Sequence, residues 1–439
     1  MAVAAAIACF IGIRDCLLFM FILSVTVAPV QIFKLAPDVP SYIVGIAYPV
    51  PAISTFTITI AASVLYLLVT GTPRSWLLAV PAYCALGIGF LAFWDTNYQV
   101  QSGVLHAFLA ISAWIVGCGF ASRFRIDQSE FACWLLLLVS MVLAVPSWAQ
   151  WFAGTGADDY GDRAGGLFAH PATTGKIAVV VLCLALPMTR SLSTRISRLS
   201  VITVATAALA VLPTLSRANV LAVLLVLGGW WLMNAKAARM RVLVTGAIGA
   251  SVVAYVFAPL LLSRFQRDPG GGDRPELYAA AMRQLPNIWP IGTGPNFYVP
   301  MVSPREPIVA ATGYPVHNAV VLFLAETGLL GLIGVAALAA CCGWAIIDRN
   351  IYRSQGRVYQ QGLLLMLASV LFISWTGWGT LRQPVLEFVV FGVAVCYTNA
   401  TFYRSRSLSL DNGQSAFVGR AGYDAPDPTV VLSAPRDRR

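Results

Sequence analysis

Apolar runs of membrane-spanning length recur from one end of the chain to the other, separated by short loops that carry arginine and lysine. With a span taken as about 20 residues, the pattern predicts helices near 15–33, 42–70, 75–93, 104–121, 131–152, 172–189, 199–214, 218–233, 242–262, 317–346, 359–378 and 382–402. The second is long and contains Pro49 and Pro51, so it reads either as one kinked helix or as a short re-entrant piece followed by a span. Met1 to Phe10 is apolar but has no basic flank, which suits part of a first helix better than a cleaved leader. The expected fold is all-α, a polytopic membrane bundle of about 12 helices. One transmembrane domain covers 1–402 and a tail covers 403–439.

Two longer polar stretches, 153–171 and 263–316, fall on the same face, and function is expected there. In the second, Asp273, Arg274, Pro275 and Glu276 form an N-cap, first-turn proline and capping-box pattern. It opens a short helix through about Leu285, ended by Pro286 and Pro290. Tyr278, Met282 and Leu285 share one side of that helix, as suits an amphipathic segment on the membrane surface or over a cavity. It reads equally as a lid or as a plug on the bundle.

Composition sharpens this picture. The chain is 58% hydrophobic and 11% charged, so no independent soluble domain is left over. The net charge of +10 sits in loops, where membrane insertion places cations, and this excludes nucleic-acid binding as its reason. Arg123 and Arg125, then Arg190, Arg195 and Arg198, then Lys236, Arg239 and Arg241, then Arg349, Arg353 and Arg357, mark one side as cytoplasmic. Both termini are expected there, and the Gly-, Pro- and Ser-containing tail is expected to be disordered. Nine scattered cysteines without a CxxC pair suggest neither a disulfide framework nor a zinc site.

The opposite face is also rich in cations: Arg163, Lys176, Arg217, Arg264, Arg267, Arg274, Arg283, Arg305 and Arg382. As a set they imply an anionic ligand, although any one of them is as well explained by a lipid headgroup or by Asp158, Asp159, Asp162, Asp268 or Glu306. Arg217 begins a span after Leu215 and Ser216, where its guanidinium either faces a membrane-level cavity or snorkels to the interface. Arg274, at the start of the loop helix, brings the amides of a helix N-terminus with it.

His317 opens the tenth span in HNAVVLFLAETGLLGL. An imidazole with an unperturbed pKa of about 6.5 can relay a proton there, or serve as a hydrogen-bonding anchor. At about 100° per residue, Val321, Leu324, Gly328 and Gly331 continue its side of the helix, and the glycines would admit a neighbouring helix. Glu326 points away and reads as a buried structural acid. In GGLFAHPATTGKIA, His170, Thr173, Thr174 and Lys176 open the sixth span at the same level, behind Gly165 and Gly166.

Four segments in order, GGLFAHPATTGK, Ser216-Arg217-Ala218, DRPELYAAAMRQLPNIWPIGTGPNF and HNAVVLFLAETGLLGL, resemble the bacterial O-antigen ligase/polymerase family of polytopic glycan transferases. The likeness covers roughly Gly165 to Leu332, and Val321 stands where that family usually has Leu. The resemblance implies a GT-C-like bundle in the bacterial inner membrane with a periplasmic active site. It implies an inverting, metal-independent glycosyltransferase without a cofactor, whose donor is an undecaprenyl-diphosphate-linked glycan. Arg217 and Arg274 would contact the diphosphate and His317 would assist the acceptor hydroxyl, with His170, Lys176, Arg264, Arg267 and Asn318 binding substrate. The acceptor would be a lipid A core sugar in a ligase or another lipid-linked repeat in a polymerase, and the Ser216-Arg217 pair leans to ligase. A transporter or flippase is the rival, but such a path calls for charges through the midplane, where Glu326 and Glu387 stand nearly alone.

Overall fold

The computed structural model of the chain describes residues 12–26, 31–34, 47, 51–71, 98–126, 129–155, 163–168, 170–234, 272–348 and 355–420, with side chains as far as Tyr403. In chain order the elements are α1 (Ile13–Thr26), β1 (Gln31–Lys34), β2 (Ala52–Ser54), α2 (Thr55–Thr70), α3 (Tyr98–Phe120), α4 (Glu130–Ala153), α5 (Pro171–Met188), α6 (Thr194–Val211) and α7 (Arg217–Asn234). The loop helices α8 (Arg274–Ile288), α9 (Tyr298–Val302) and α10 (Pro307–Thr312) follow, then α11 (Ala319–Ile347), α12 (Gly356–Thr376) and α13 (Val385–Arg420). Eight of these, α3 to α7 and α11 to α13, are long and apolar enough to cross a membrane, and the chain is a multi-pass membrane protein.

The bundle is built around α5. From Ile177 to Met188 every residue is buried, as expected of a helix that is apolar on all sides, and α4, α6, α7, α12 and α13 pack around it. The last helix, α13, lies along α3 and closes the ring. By contrast α11 sits at the periphery and leaves most of its length facing outward. At one end, here the loop end, α8 to α10 bury Leu277, Ala280, Ile288, Val299, Val302 and Val309 against Leu322 and Trp378 in a small core of their own.

Several sequence expectations are corrected. The fold is not purely helical, because β1 and β2 form a two-stranded antiparallel ribbon with Phe33 opposite Ile53 and Lys34 opposite Ala52. The first helix ends at Thr26 and residues 31–33, expected to be helical, lie in strand β1. Within 42–70, an extended segment leads to Ser54, which forms a capping box with Thr57 and opens α2, so one helix does not run through it; 42–46 and 48–50, where the re-entrant piece was expected, lie outside the described residues. The third long helix begins at Tyr98, before position 104; in its first turn Gln99 and Val100 are buried, and the Gln99 carbonyl accepts from the Asn296 side chain at 3.3 Å. The last helix runs on to Arg420, so the start of the tail expected to be disordered is helical; no proline interrupts 385–420, and a formed helix propagates easily. The predicted spans 75–93 and 242–262, together with residues 421–439, lie outside the described residues.

Candidate functional site

The site is assembled at the loop end from three chain segments. The first is the glycine turn before α5. The Gln150 side chain of α4 accepts from the amides of Gly165 and Gly166 at 3.1 and 2.9 Å and donates to the Gly166 carbonyl at 2.7 Å. Thr174 donates to the Gly165 carbonyl. Gly166 has φ +65°, a conformation that favours glycine. The same stretch is tied to the next helix pair: Ala164 N–H donates to Pro213 O at 3.0 Å and Arg163 Nε to Thr214 O at 3.0 Å. Beyond Thr214 the chain turns through Leu215, at φ +46°, directly into Arg217. Asn219 of α7 donates to Ala172 O at 3.0 Å, which sets Arg217 at the level where α5 begins.

The second and third segments are the loop and the helix that follows it. Asn318 caps α11, its side-chain oxygen accepting from Val320 and Val321 N–H at 3.0 and 3.1 Å. Asn318, expected to bind substrate, is buried with its side-chain oxygen engaged in this cap, and the cap fixes His317 immediately outside the helix. Further along, α11 breaks at Gly328, with φ +58° and ψ −147°. The loop fills the break: Thr293 N–H donates to Ala325 O and Gly294 N–H to Glu326 O, both at 2.9 Å, while Leu329 N–H donates to Pro290 O at 2.8 Å. A Cβ on Gly328 would run into the Pro290 and Ile291 backbone. What approaches this glycine closely is thus loop backbone, in place of the neighbouring helix predicted. Glu326 is buried, as expected of a structural acid, and its partner is now evident: Oε2 accepts from Asn296 N–H at 3.0 Å.

In α8, Asp273 occupies the N-cap position without a side-chain cap bond, so the predicted capping box does not form. Pro286 lies inside the helix, which continues to Ile288. Leu277, Ala280 and Ala281 are the packed side, and Tyr278 and Met282 face outward. Arg283 holds Glu306 at 2.7 Å and Gln284 donates to it at 2.8 Å, so this one of the loop-end cations serves the loop itself. Those bonds hold the Glu306 carboxyl below the usual range.

The three segments converge on two histidines. Burial first, and Arg274 second, push the His317 pKa down to about 4, with Lys176 adding to the push and the Pro315 carbonyl and Asp273 opposing it. At neutral pH the ring is uncharged and able to accept a proton. Its Nδ1 is buried and has no hydrogen-bond partner among the described residues. His170 caps α5, its Nδ1 accepting from Ala172 N–H at 3.1 Å, which leaves the ring proton on Nε2. Burial, then Lys176, Arg163, Arg382 and His317, depress its pKa to about 3. Lys176 projects from α5 against Gly379, where an added Cβ would meet Nζ.

The structure therefore brings His317, Arg274, Lys176 and His170 into one electrostatic cluster and adds Arg163 and Arg382 to it. Arg217 follows the Thr214 turn, whose carbonyl accepts from Arg163 at 3.0 Å. Arg264 and Arg267 lie outside the described residues. Among the described residues, no three His, Cys, Asp or Glu side chains converge as metal ligands. Sequence reasoning missed His106, which on α3 faces Glu387 of α13 at 2.8 Å. A histidine inside an apolar span was the available signal.

Residues 202–336 match a family model described as O-antigen ligase. That stretch runs from α6 through the break in α11 and includes Arg217, Arg274, His317 and Asn318. The resemblance read from the sequence is borne out over that region. A search of curated proteins gives no match.

Proposed function

Taking the O-antigen ligase match as premise, we propose that this protein is a membrane glycosyltransferase that moves an undecaprenyl-diphosphate-linked glycan onto an acceptor hydroxyl at the periplasmic face of the inner membrane. The observation that carries the reading is the uncharged His317 beside Arg274, at the capped start of a long helix. A lipid diphosphate is already a good leaving group. The reaction then needs charge neutralisation, alignment and modest help from a base.

In this reading Arg274 and Arg217 hold the departing diphosphate, with Lys176 and His170 beside them. His317 takes the proton of the attacking hydroxyl, the new glycosidic bond forms as the bond to the diphosphate breaks, and the anomeric configuration inverts in that single displacement. Lipid A core is the proposed acceptor, as in O-antigen ligation; a polymerase would differ only in accepting another lipid-linked repeat.

Purified protein in detergent, incubated with lipid-linked glycan and candidate acceptors with and without chelator, tests the assignment. Glycan transfer that survives chelation and is lost in His317→Ala is expected. No transfer to any hydroxyl acceptor, or undiminished transfer in that variant, would overturn it.

A further inference from the structure

Two buried ionisable groups play no part in the chemistry above. His106 and Glu387, 2% and 0% exposed, meet between α3 and α13, with His106 Nδ1 2.8 Å from Glu387 Oε1. On its other side His106 Nε2 lies 2.6 Å from the Leu381 carbonyl. A carbonyl only accepts, so Nε2 carries a proton. The contact between Nδ1 and Oε1 then holds one more proton, on either atom. Imidazole with carboxylic acid, or imidazolium with carboxylate, the pair is neutral overall, which is the condition under which such groups tolerate burial.

What the pair grips is the connection between α12 and α13. Leu381 ends the short turn Trp378–Thr380, whose Thr380 hydroxyl lies 2.8 Å from that of Ser374. Gly379 of this turn is the surface against which Lys176 Nζ rests. Arg382, the next residue after Leu381, acts electrostatically on His170 and on Lys176. A single histidine, paired with Glu387, thus fixes the carbonyl immediately before a cation of the loop-end cluster. We propose that His106 and Glu387 are positioning residues: they hold the 377–384 strap so that Arg382 and Lys176 face the diphosphate of the donor lipid.

This rests on the donor assigned above, and a double-mutant cycle separates the two. In purified full-length protein, with rates normalised to folded protein, Arg382→Ala is expected to raise the donor KM roughly 10-fold or more while the acceptor KM stays unchanged. His106→Ala should do the same, and the double variant should be no worse than Arg382→Ala, because coupled sites are non-additive. Glu387→Gln should retain most activity, since its amide can donate to Nδ1 while Nε2–H keeps Leu381. Inorganic pyrophosphate affinity, measured on the same variants, should fall in parallel.

Losses that multiply in the double variant, or a His106→Ala protein with unchanged donor KM and pyrophosphate affinity, overturn the positioning role. Should His106→Ala fail to fold, Glu387→Ala against Glu387→Gln in the Arg382→Ala background decides by the same criterion. A wild-type protein that binds pyrophosphate but transfers no glycan would instead defeat the donor assignment and leave the pyrophosphate arm to judge the strap.

Discussion

Both ends of the bundle carry arginines close to the helix termini, yet they are used in different ways. At the far end, Arg123 pairs with Asp15 at 2.7 Å, and Arg14 donates to the Gly119 carbonyl and the Ser122 hydroxyl at 3.0 and 2.7 Å. Arg125 lies 3.4 Å over the Phe402 ring and Arg190 donates to the Asn234 carbonyl at 3.2 Å. These are the roles helix ends ask of cations, satisfying terminal carbonyls and the negative end of the dipole. At the loop end, Arg163, Arg274, Arg382 and Lys176 gather around two histidines, which burial first and these cations second hold uncharged. Cations that suppress a neighbour's protonation are costly to assemble unless an anion joins them. The difference teaches that charge count alone locates neither end's function; what each guanidinium faces does.

The comparison breaks first at the chemistry. His317→Ala and Arg274→Ala should each lower transfer by about 100-fold or more, the range for a lost general base or charge-stabilising donor, while Arg14→Ala at the far end leaves the rate per folded protein near wild type. Equal losses at both ends in a detergent transfer assay would erase the distinction. Next comes the frame of the loop end. Gly328→Ala places a methyl group against the Pro290 and Ile291 backbone at a positive φ. It should cost about 2 kcal/mol or more of stability, read as a lower melting temperature in detergent.

The pH profile gives a finer test. His317 must be neutral to accept a proton, and its folded pKa is held at about 4. Protonation inactivates, so kcat/KM should stay level as pH falls through about 6.5, the unperturbed value, and decline only toward 4. An acid limb centred near 6.5 would show that neither burial nor Arg274 depresses this ring. The same depression means that the unfolded chain binds the proton first, so stability is full above about 6.5 and is lost as pH falls toward 4. The smallest effect is expected at the far-end pair Arg195–Glu130, 2.9 Å apart but exposed. Arg195→Ala should change the melting temperature by no more than about 0.5 kcal/mol would produce.

Much of this was legible in the sequence because each feature is local. The spans follow from hydropathy, and α4, α5 and α7 fall within a residue of the predicted limits. Asn318 and His317 belong to a pattern in which polar residues precede an apolar run. The ribbon escaped because β1 and β2 pair across a gap in sequence, and no periodicity in either strand announces the partner. The break in α11 escaped because Gly328 in an apolar run looks like a packing glycine until the Pro290 loop is laid against it. His106 escaped because its acid lies 281 positions away on another helix.

By itself the sequence determined that this chain lives in a membrane, where several of its spans begin and end, and that one face gathers cations and a histidine. Those properties depend on neighbours along the chain, through helical periodicity and the cost of placing polar groups in hydrocarbon. Only the tertiary structure decided which cations gather at the two histidines, that Glu326 receives a loop amide, and that His106 meets the Leu381 carbonyl before Arg382. Electrostatic coupling and hydrogen bonding act over a few ångströms of space, and distance in space between helices is not written in distance along the chain.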